Sequence, residues 1–339
     1  MSVDLTNWAR AVPDAVVAAL TRGGEVLVVS HENPDADTLG AALAVRTLVE
    51  AHGGRATPVC SDPVPPLYAF LPGVEAIRTD PDPDRRYDLL VIVDCGSLER
   101  VGAVAQRHPG LFADLPRVII DHHLSNAAEG ATDWIDPDAA ATCEMVTLLA
   151  TRLAVPLDAG EGSLATVLMA GIVLDTATFA HPNVTPRTLA VASALVEAGA
   201  PLSEISRRLY RSKPEAQLRL FGRVLGRLES ADGGRVVWST LTDADFAATD
   251  TDAAHSEGII DLLSQAEGAE VAILFKEQGP ATRISVRTRP GGVDATELTG
   301  TFGGGGHARA AGATVNLALP AARVAVLVEA RRLADAIDR

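Results

Sequence analysis

Acidic and imidazole side chains recur in this sequence at the ends of apolar runs. The stretch "SHENPDADTLGAAL" carries His31, Asp35 and Asp37 within one short turn. "VIVDCGS" places Asp94 after a run of aliphatics, "RVIIDHHLS" runs into Asp121, His122 and His123, and Asp175 breaks the apolar "GIVLDTATF". Taken singly, each has a plain explanation: an acid beside a helix start is a cap, and Asn33-Pro34 is a turn former. A carboxylate inside an apolar run is costly, however, unless it is paired or metal-bound. Carboxylates mixed with imidazoles suit manganese, magnesium or another borderline divalent ion better than a structural zinc tetrahedron. The possible ligands outnumber what one ion needs, which implies two ions bridged by a carboxylate, with Asp94 the natural bridge. Two metals about 3.5–4 Å apart generate a hydroxide nucleophile and clamp a phosphoryl oxygen. The chemistry expected is hydrolysis of a phosphate ester.

For these residues to meet, the elements that carry them must share an edge. "EVLVVS" (25–30), "RATPVC" (55–60), "DLLVIVD" (88–94) and "RVIID" (117–121) read as strands, with helical periodicity over 38–54, near 140–154 and over 162–174. Strands alternating with helices predict an α/β domain built on a doubly wound, mostly parallel sheet, whose ligands bind outside the carboxyl ends of the strands. His31, Asp94 and Asp121 all fall at such ends. Residues 181–215 read as a helical linker. "GRVVWSTL", "AEVAILFKE" and "TRISVRTR", with a helix near 255–266 and another after Pro320, predict a smaller α/β domain with a mixed or antiparallel sheet. The expected division is 1–180, 181–215 and 216–339.

With 339 residues, 47% of them hydrophobic, two globular domains are expected. A net charge of −15 argues against tracking long nucleic acid, which rests on many Lys and Arg contacts to phosphate. Cys60, Cys95 and Cys143 have no CxxC spacing and read as reduced packing residues. The amino terminus does not read as a signal peptide, and no run approaches the roughly 18 apolar residues of a membrane helix, so the cytoplasm is the expected location.

A second signal lies at "FGGGGHARAAGA" (302–313). Gly304, Gly305 and Gly306 leave the backbone bare, so that amides can approach a phosphate closely, and His307 and Arg309 add charged donors. A flexible hairpin or tight turn would use glycines in the same way. Upstream, period-two alternation puts Arg283, Arg287 and Arg289 on one face of a strand.

With these motifs in order, the chain resembles the DHH-family phosphoesterases over essentially its whole length. The branch it is similar to is that of the nanoRNase/pAp phosphatases, in which a DHH domain is followed by a DHH-associated domain. It departs from the family pattern only by small residues, Ala36, Thr38 and Ala41. The resemblance implies that His31, Asp35 and Asp94 hold one manganese, and that Asp37, Asp94, His122 and Asp175 hold the other. It further implies that Asp121 orients the adjacent imidazole, that His123 contacts the scissile phosphate or assists the leaving group, and that Arg287 and the glycine loop bind substrate. The substrates implied are short oligoribonucleotides, 3′-phosphoadenosine 5′-phosphate (pAp) and linear or cyclic di-adenylate, turned over by a homodimer. A manganese pyrophosphatase shares the metal motifs but lacks a GGGGH loop. A non-catalytic nucleotide sensor would be expected to have lost some of the ligands, and none is missing here.

Overall fold

The structure, a computed structural model, describes residues 3–337 except 125, 127–129, 131 and 161. The chain divides into two compact units, Met1–Ser212 and Lys213–Arg339.

In the first unit α1 (Thr6–Ala9) and α2 (Asp14–Leu20) lead to β1 (Glu25–Val29), α3 (Ala36–Ala51) and β2 (Arg55–Val59). Then follow β3 (Leu89–Val93), α4 (Ala103–Arg107), α5 (Pro109–Asp114), β4 (Arg117–Asp121), β5 (Asp133–Ile135), α6 (Thr142–Arg152), α7 (Ser163–Asp175), α8 (Pro186–Glu197) and α9 (Leu202–Tyr210). The sheet order is β2-β1-β3-β4-β5 and every pairing is parallel. Because side chains alternate along a strand, Val26, Val28, Val91, Val93, Val118 and Ile120 pack into the core that includes α3, α6 and α7. Leu27, Val29, Leu90, Ile92 and Ile119 pack into the core on the other face, with Val101 and Val104. Burial on both faces is why these strands read as continuous aliphatic runs.

Two features differ from the sequence expectation. The third residue run of "ATDWID" forms β5, a short edge strand that its composition does not announce. Most of the segment expected as a linker belongs to the first unit: Val191 and Leu195 of α8, and Ile205 and Leu209 of α9, are buried in its main core. The apolar faces of these helices need a partner, and α7 provides it.

The second unit comprises α10 (Glu215–Leu225), β6 (Glu229–Ala231), β7 (Val236–Leu241), α11 (Asp243–Thr249), α12 (Ile259–Leu263), β8 (Val271–Gln278), β9 (Ala281–Thr288), α13 (Ala295–Gly300), β10 (Gly305–His307), β11 (Ala310–Val315) and α14 (Leu319–Ile337). Its sheet runs β10-β11-β9-β8-β7-β6 and is mixed: β7 and β8 are parallel and the other pairs antiparallel. A two-residue Gly279-Pro280 turn, with Gly279 at φ 60°, joins β8 to β9 in register. One sheet face carries α14 through Ala322, Val326 and Ala330; the other carries α10 and α12. Among the described residues no single helix is long and apolar enough to cross a membrane.

Close approach between α3 and α7 depends on glycine. A Cβ on Gly40 would lie 2.5 Å from the Val167 carbonyl oxygen, and one on Gly171 would lie 2.5 Å from Cys143 Sγ and closer still to Asp37. Immediately after α7 the chain makes the opposite demand: Ala177, Thr178 and Phe179 take φ of 47°, 58° and 64°, a left-handed run of three residues that all carry a Cβ. The Thr176 hydroxyl ties this run down by donating to Ile172 O (2.6 Å) and accepting from the Phe179 amide (3.0 Å). Gly171→Ala should therefore lower the stability of the first unit by about 1–3 kcal/mol in denaturant unfolding. Ala177→Gly should raise it by up to about 1 kcal/mol, since left-handed backbone costs alanine and not glycine.

Candidate metal centre

Parallel pairing brings the carboxyl ends of β1, β3 and β4 to one edge, and the motif residues follow these strands directly. Asp35 caps α3: its Oδ1 accepts from the amides of Asp37 (2.9 Å) and Thr38 (3.0 Å). Asp37 is fully buried and accepts from the first amides of another helix, α6, at Thr142 (2.7 Å) and Cys143 (2.8 Å). The positive end of α6 is thus turned on a carboxylate some hundred residues away in sequence. Asp94 leaves β3 with φ 51°, a conformation that aspartate tolerates better than most side chains. Its Oδ2 accepts from the Thr38 hydroxyl (2.7 Å) and its Oδ1 from the Thr142 hydroxyl (3.1 Å).

Three imidazoles surround Asp94. His31 Nε2 lies 3.5 Å from Asp94 Oδ2 and 3.9 Å from Asp35 Oδ2. His122 Nε2 lies 3.6 Å from Asp94 Oδ1 and 3.3 Å from Asp175 Oδ2. His123 Nδ1 lies 3.8 Å from Asp94 Oδ1 and 2.7 Å from Asp121 Oδ1. His31 and His122 share one pattern. Nδ1 faces a backbone carbonyl, Glu32 at 2.6 Å and Ala139 at 3.3 Å, and Nε2 faces the carboxylates. This is the arrangement of a metal-ligating histidine, whose other nitrogen is held by an acceptor. His123 differs: buried Asp121 holds its Nδ1, and the Arg100 guanidinium lies 3.4 Å from its Nε2.

Electrostatically the edge is overloaded with negative charge. Burial pushes Asp37 and Asp175 well above the usual carboxylate range, and the charges of Asp94 and Asp35 push in the same direction. Asp35 is raised by burial and by Asp94. Asp94 itself is held low: burial opposes its charge, but the neighbouring His31 and His122 and the Thr38 hydroxyl outweigh it. Burial works against protonation of His31, and the Asp94 carboxylate reverses that and raises it. His123 is raised chiefly by its bond to Asp121. Three sets of donor atoms lie within 4.8 Å of one another: His31, Asp35 and Asp94; Asp37, His122 and Asp175; Asp94, His122 and His123. Borderline divalent cations would fit these oxygen and imidazole donors and would relieve the repulsion.

All six residues expected as ligands are thus brought together. Asp121, expected to orient the adjacent imidazole, instead bonds His123, because successive residues at the strand end point to opposite faces and its neighbour His122 turns toward Asp175. Residues not singled out from sequence also take part. Thr142 bonds both Asp37 and Asp94, and Asn126 donates to Asp121 Oδ2 (2.8 Å) and to the Cys95 carbonyl (3.1 Å). The cysteines are buried, and burial pushes the Cys60 thiol up to about 11 and the Cys95 thiol up to about 12, so they remain protonated packing residues.

The second expected group lies in the second unit. His307 faces Ala310 across β10–β11, and Ala310 faces Arg287 across β11–β9, so the three lie abreast on adjacent strands. Arg287 Nε is 2.9 Å from Asp261 Oδ1. Gly304, Gly305 and Gly306 lead into and form a hairpin strand, with Gly306 at φ 146°, and a Cβ on Gly304 or Gly306 would strike β11. Nothing lies within 4 Å of a Cβ placed on Gly305. His307 and Arg309 are exposed. Arg289 falls just beyond the end of β9, so only Arg283 and Arg287 share a strand face.

Residues 25–172 match the DHH family, N-terminal domain, and residues 233–334 match the DHHA1 domain. The bifunctional oligoribonuclease and PAP phosphatase NrnA of Thermus thermophilus is 33% identical over 292 residues, covering 86% of this chain and 84% of the relative. The protein of the same description from Bacillus subtilis is 25% identical over 293 residues, covering 86% and 89%. An exopolyphosphatase-related protein from Bacteroides fragilis has the same fold, with a TM-score of 0.85 at 21% identity, covering 97% of this chain and 98% of that one. The chain belongs to the DHH phosphoesterase family, in its NrnA-like branch, with a DHH domain followed by a DHHA1 domain.

Proposed function

We propose that the protein is a metal-dependent phosphoesterase that cleaves short oligoribonucleotides to mononucleotides and converts pAp to AMP, with linear or cyclic di-adenylate as further substrates. The observation that carries this reading is the shared use of Asp94 by donor sets built on His31 and on His122. The relatives named as oligoribonuclease and PAP phosphatase support the substrate class. Bound divalent ions, manganese on the strength of the mixed oxygen and imidazole donors, would supply Lewis acidity toward the phosphoryl oxygens. The chain's own residues do the rest. Asp94 holds both sites in register; Asp35 and His31 complete one, and Asp37, His122 and Asp175 the other. His123, with Nδ1 anchored on Asp121, presents Nε2 for proton exchange with the leaving oxygen. Arg287, Gly304, Gly305, Gly306, His307 and Arg309 form the substrate-binding set of the DHHA1 domain. A cytoplasmic homodimer is the assembly the family resemblance favours.

Hydrolysis of pAp and of the dinucleotide pApA, measured with manganese and with chelator, tests the reading. Activity should disappear with chelator, and Asp94→Ala should retain less than about a tenth of the wild-type rate; a chelator-resistant rate would refute the metal mechanism. His307→Ala should raise KM about tenfold with kcat little changed, the loss of one hydrogen-bonding contact worth ~1.4 kcal/mol.

A further inference from the structure

The turn 136–144 contributes no metal ligand in the reading above, yet three ligands lean on it. The Ala139 carbonyl faces His122 Nδ1 at 3.3 Å. The amides of Thr142 and Cys143 hold Asp37 at 2.7 and 2.8 Å, and the Thr142 hydroxyl holds Asp94 at 3.1 Å. A shift of the turn would move all three at once.

What fixes the turn lies far away in sequence. Arg187, in the first turn of α8, donates from Nε to Glu144 Oε1 at 2.5 Å and from Nη1 to Asp136 Oδ2 at 2.8 Å. Glu144 belongs to the first turn of α6 and is fully buried, with its other oxygen accepting from the Ala140 amide at 3.2 Å. Asp136 follows β5 and donates its amide to Asp121 O at 3.0 Å. One planar guanidinium therefore spans both ends of the turn, and a rigid fork sets distance and orientation in a way that a flexible ammonium does not. Asn183, just before α8, adds a second tie by donating from Nδ2 to Ala140 O (3.1 Å) and Asp175 O (3.3 Å). Arg187 and Asn183 both lie beyond the residues that match the DHH domain, 25–172.

We propose that Arg187 is a positioning residue of the metal centre. Its fork holds the 136–144 turn at the spacing that presents Asp37, Asp94 and His122 to the ions, so α8 is part of the metal-binding machinery and not only a packing helix. This inference rests on the metal-centre reading above.

The test is a manganese titration by calorimetry on the full chain, paired with thermal melting in chelator. It compares wild type, Arg187→Lys and the double variant Arg187→Met/Glu144→Gln. The double variant removes the fully buried Glu144 charge together with its partner, so that only the partly exposed Asp136 loses an ion pair. The expected result is that both variants melt cooperatively without metal while at least one manganese dissociation constant rises about tenfold, the scale set by losing a group that orients ligands. Wild-type affinity, within about twofold, in either folded variant would overturn the proposal and leave Arg187 a structural ion pair. Wild type that binds no manganese would instead overturn the metal-centre reading, and this inference with it.

Discussion

Carboxylates that leave water must have their charge matched, and Asp35, Asp37, Asp94 and Asp175 all gather at the carboxyl edge of one parallel sheet. Much of the first unit is arranged around that requirement. Asp35 takes the amides that begin α3, and Asp37 takes those that begin α6. Asp94 takes two threonine hydroxyls and lies among three imidazoles. Asp175 has His122 and otherwise the repulsion of the other acids. Around these acids α3 and α7 pack almost backbone to backbone at Gly40 and Gly171, and a Cβ on Gly171 would strike the Asp37 carboxylate itself. A divalent cation would complete the compensation that amides, hydroxyls and imidazoles begin.

That the candidate ligands would gather at one edge was legible in the sequence because two regularities coincide. Aliphatic runs mark buried parallel strands, and such strands point their carboxyl ends the same way, so an acid or histidine that follows several runs must meet the others. The supporting residues carried no such mark. Thr142 looks like an ordinary helix threonine, and its bond to Asp94 spans 48 residues. Arg187 lies in a stretch whose period says only that it is an amphipathic helix. Whether such a helix bridges two domains or packs on one depends on which apolar face receives it, and that is a tertiary fact: Val191 and Leu195 find α7. The partner of Asp121 was misassigned for a similar reason. The resemblance implied the adjacent imidazole, but the alternation of directions at a strand end sends the next side chain away and brings back the one after it.

The glycine-rich stretch shows how one composition can serve two ends. Gly304 and Gly306 are required by the hairpin itself, since a Cβ on either would collide with β11. Gly303 and Gly305 meet no such collision, although Gly303 takes a φ of 74°, and two residues after Gly305 the exposed His307 stands abreast of Arg287 through Ala310. The run of four glycines is thus chiefly a way to lay a very thin strand on the sheet edge. What it leaves available to a ligand is a short stretch of accessible backbone with a histidine at its end.

Charge also bears on the size of substrate that the proposed reading allows. The chain carries −15 overall, but at physiological ionic strength screening acts over about 8 Å, so each phosphate responds mainly to the surface beside it. Near the metal centre that surface is carboxylate-rich, and Arg187 is already committed to Glu144 and Asp136. A scissile phosphate would be accepted there only where bound cations reversed the local sign. A longer strand would bring further phosphates onto that carboxylate-rich surface, and each would weaken binding. On the proposed reading, a mononucleotide bearing two phosphates, or a chain of a few residues, would meet less of that repulsion. A preference for short substrates would then need no wall to block the longer ones.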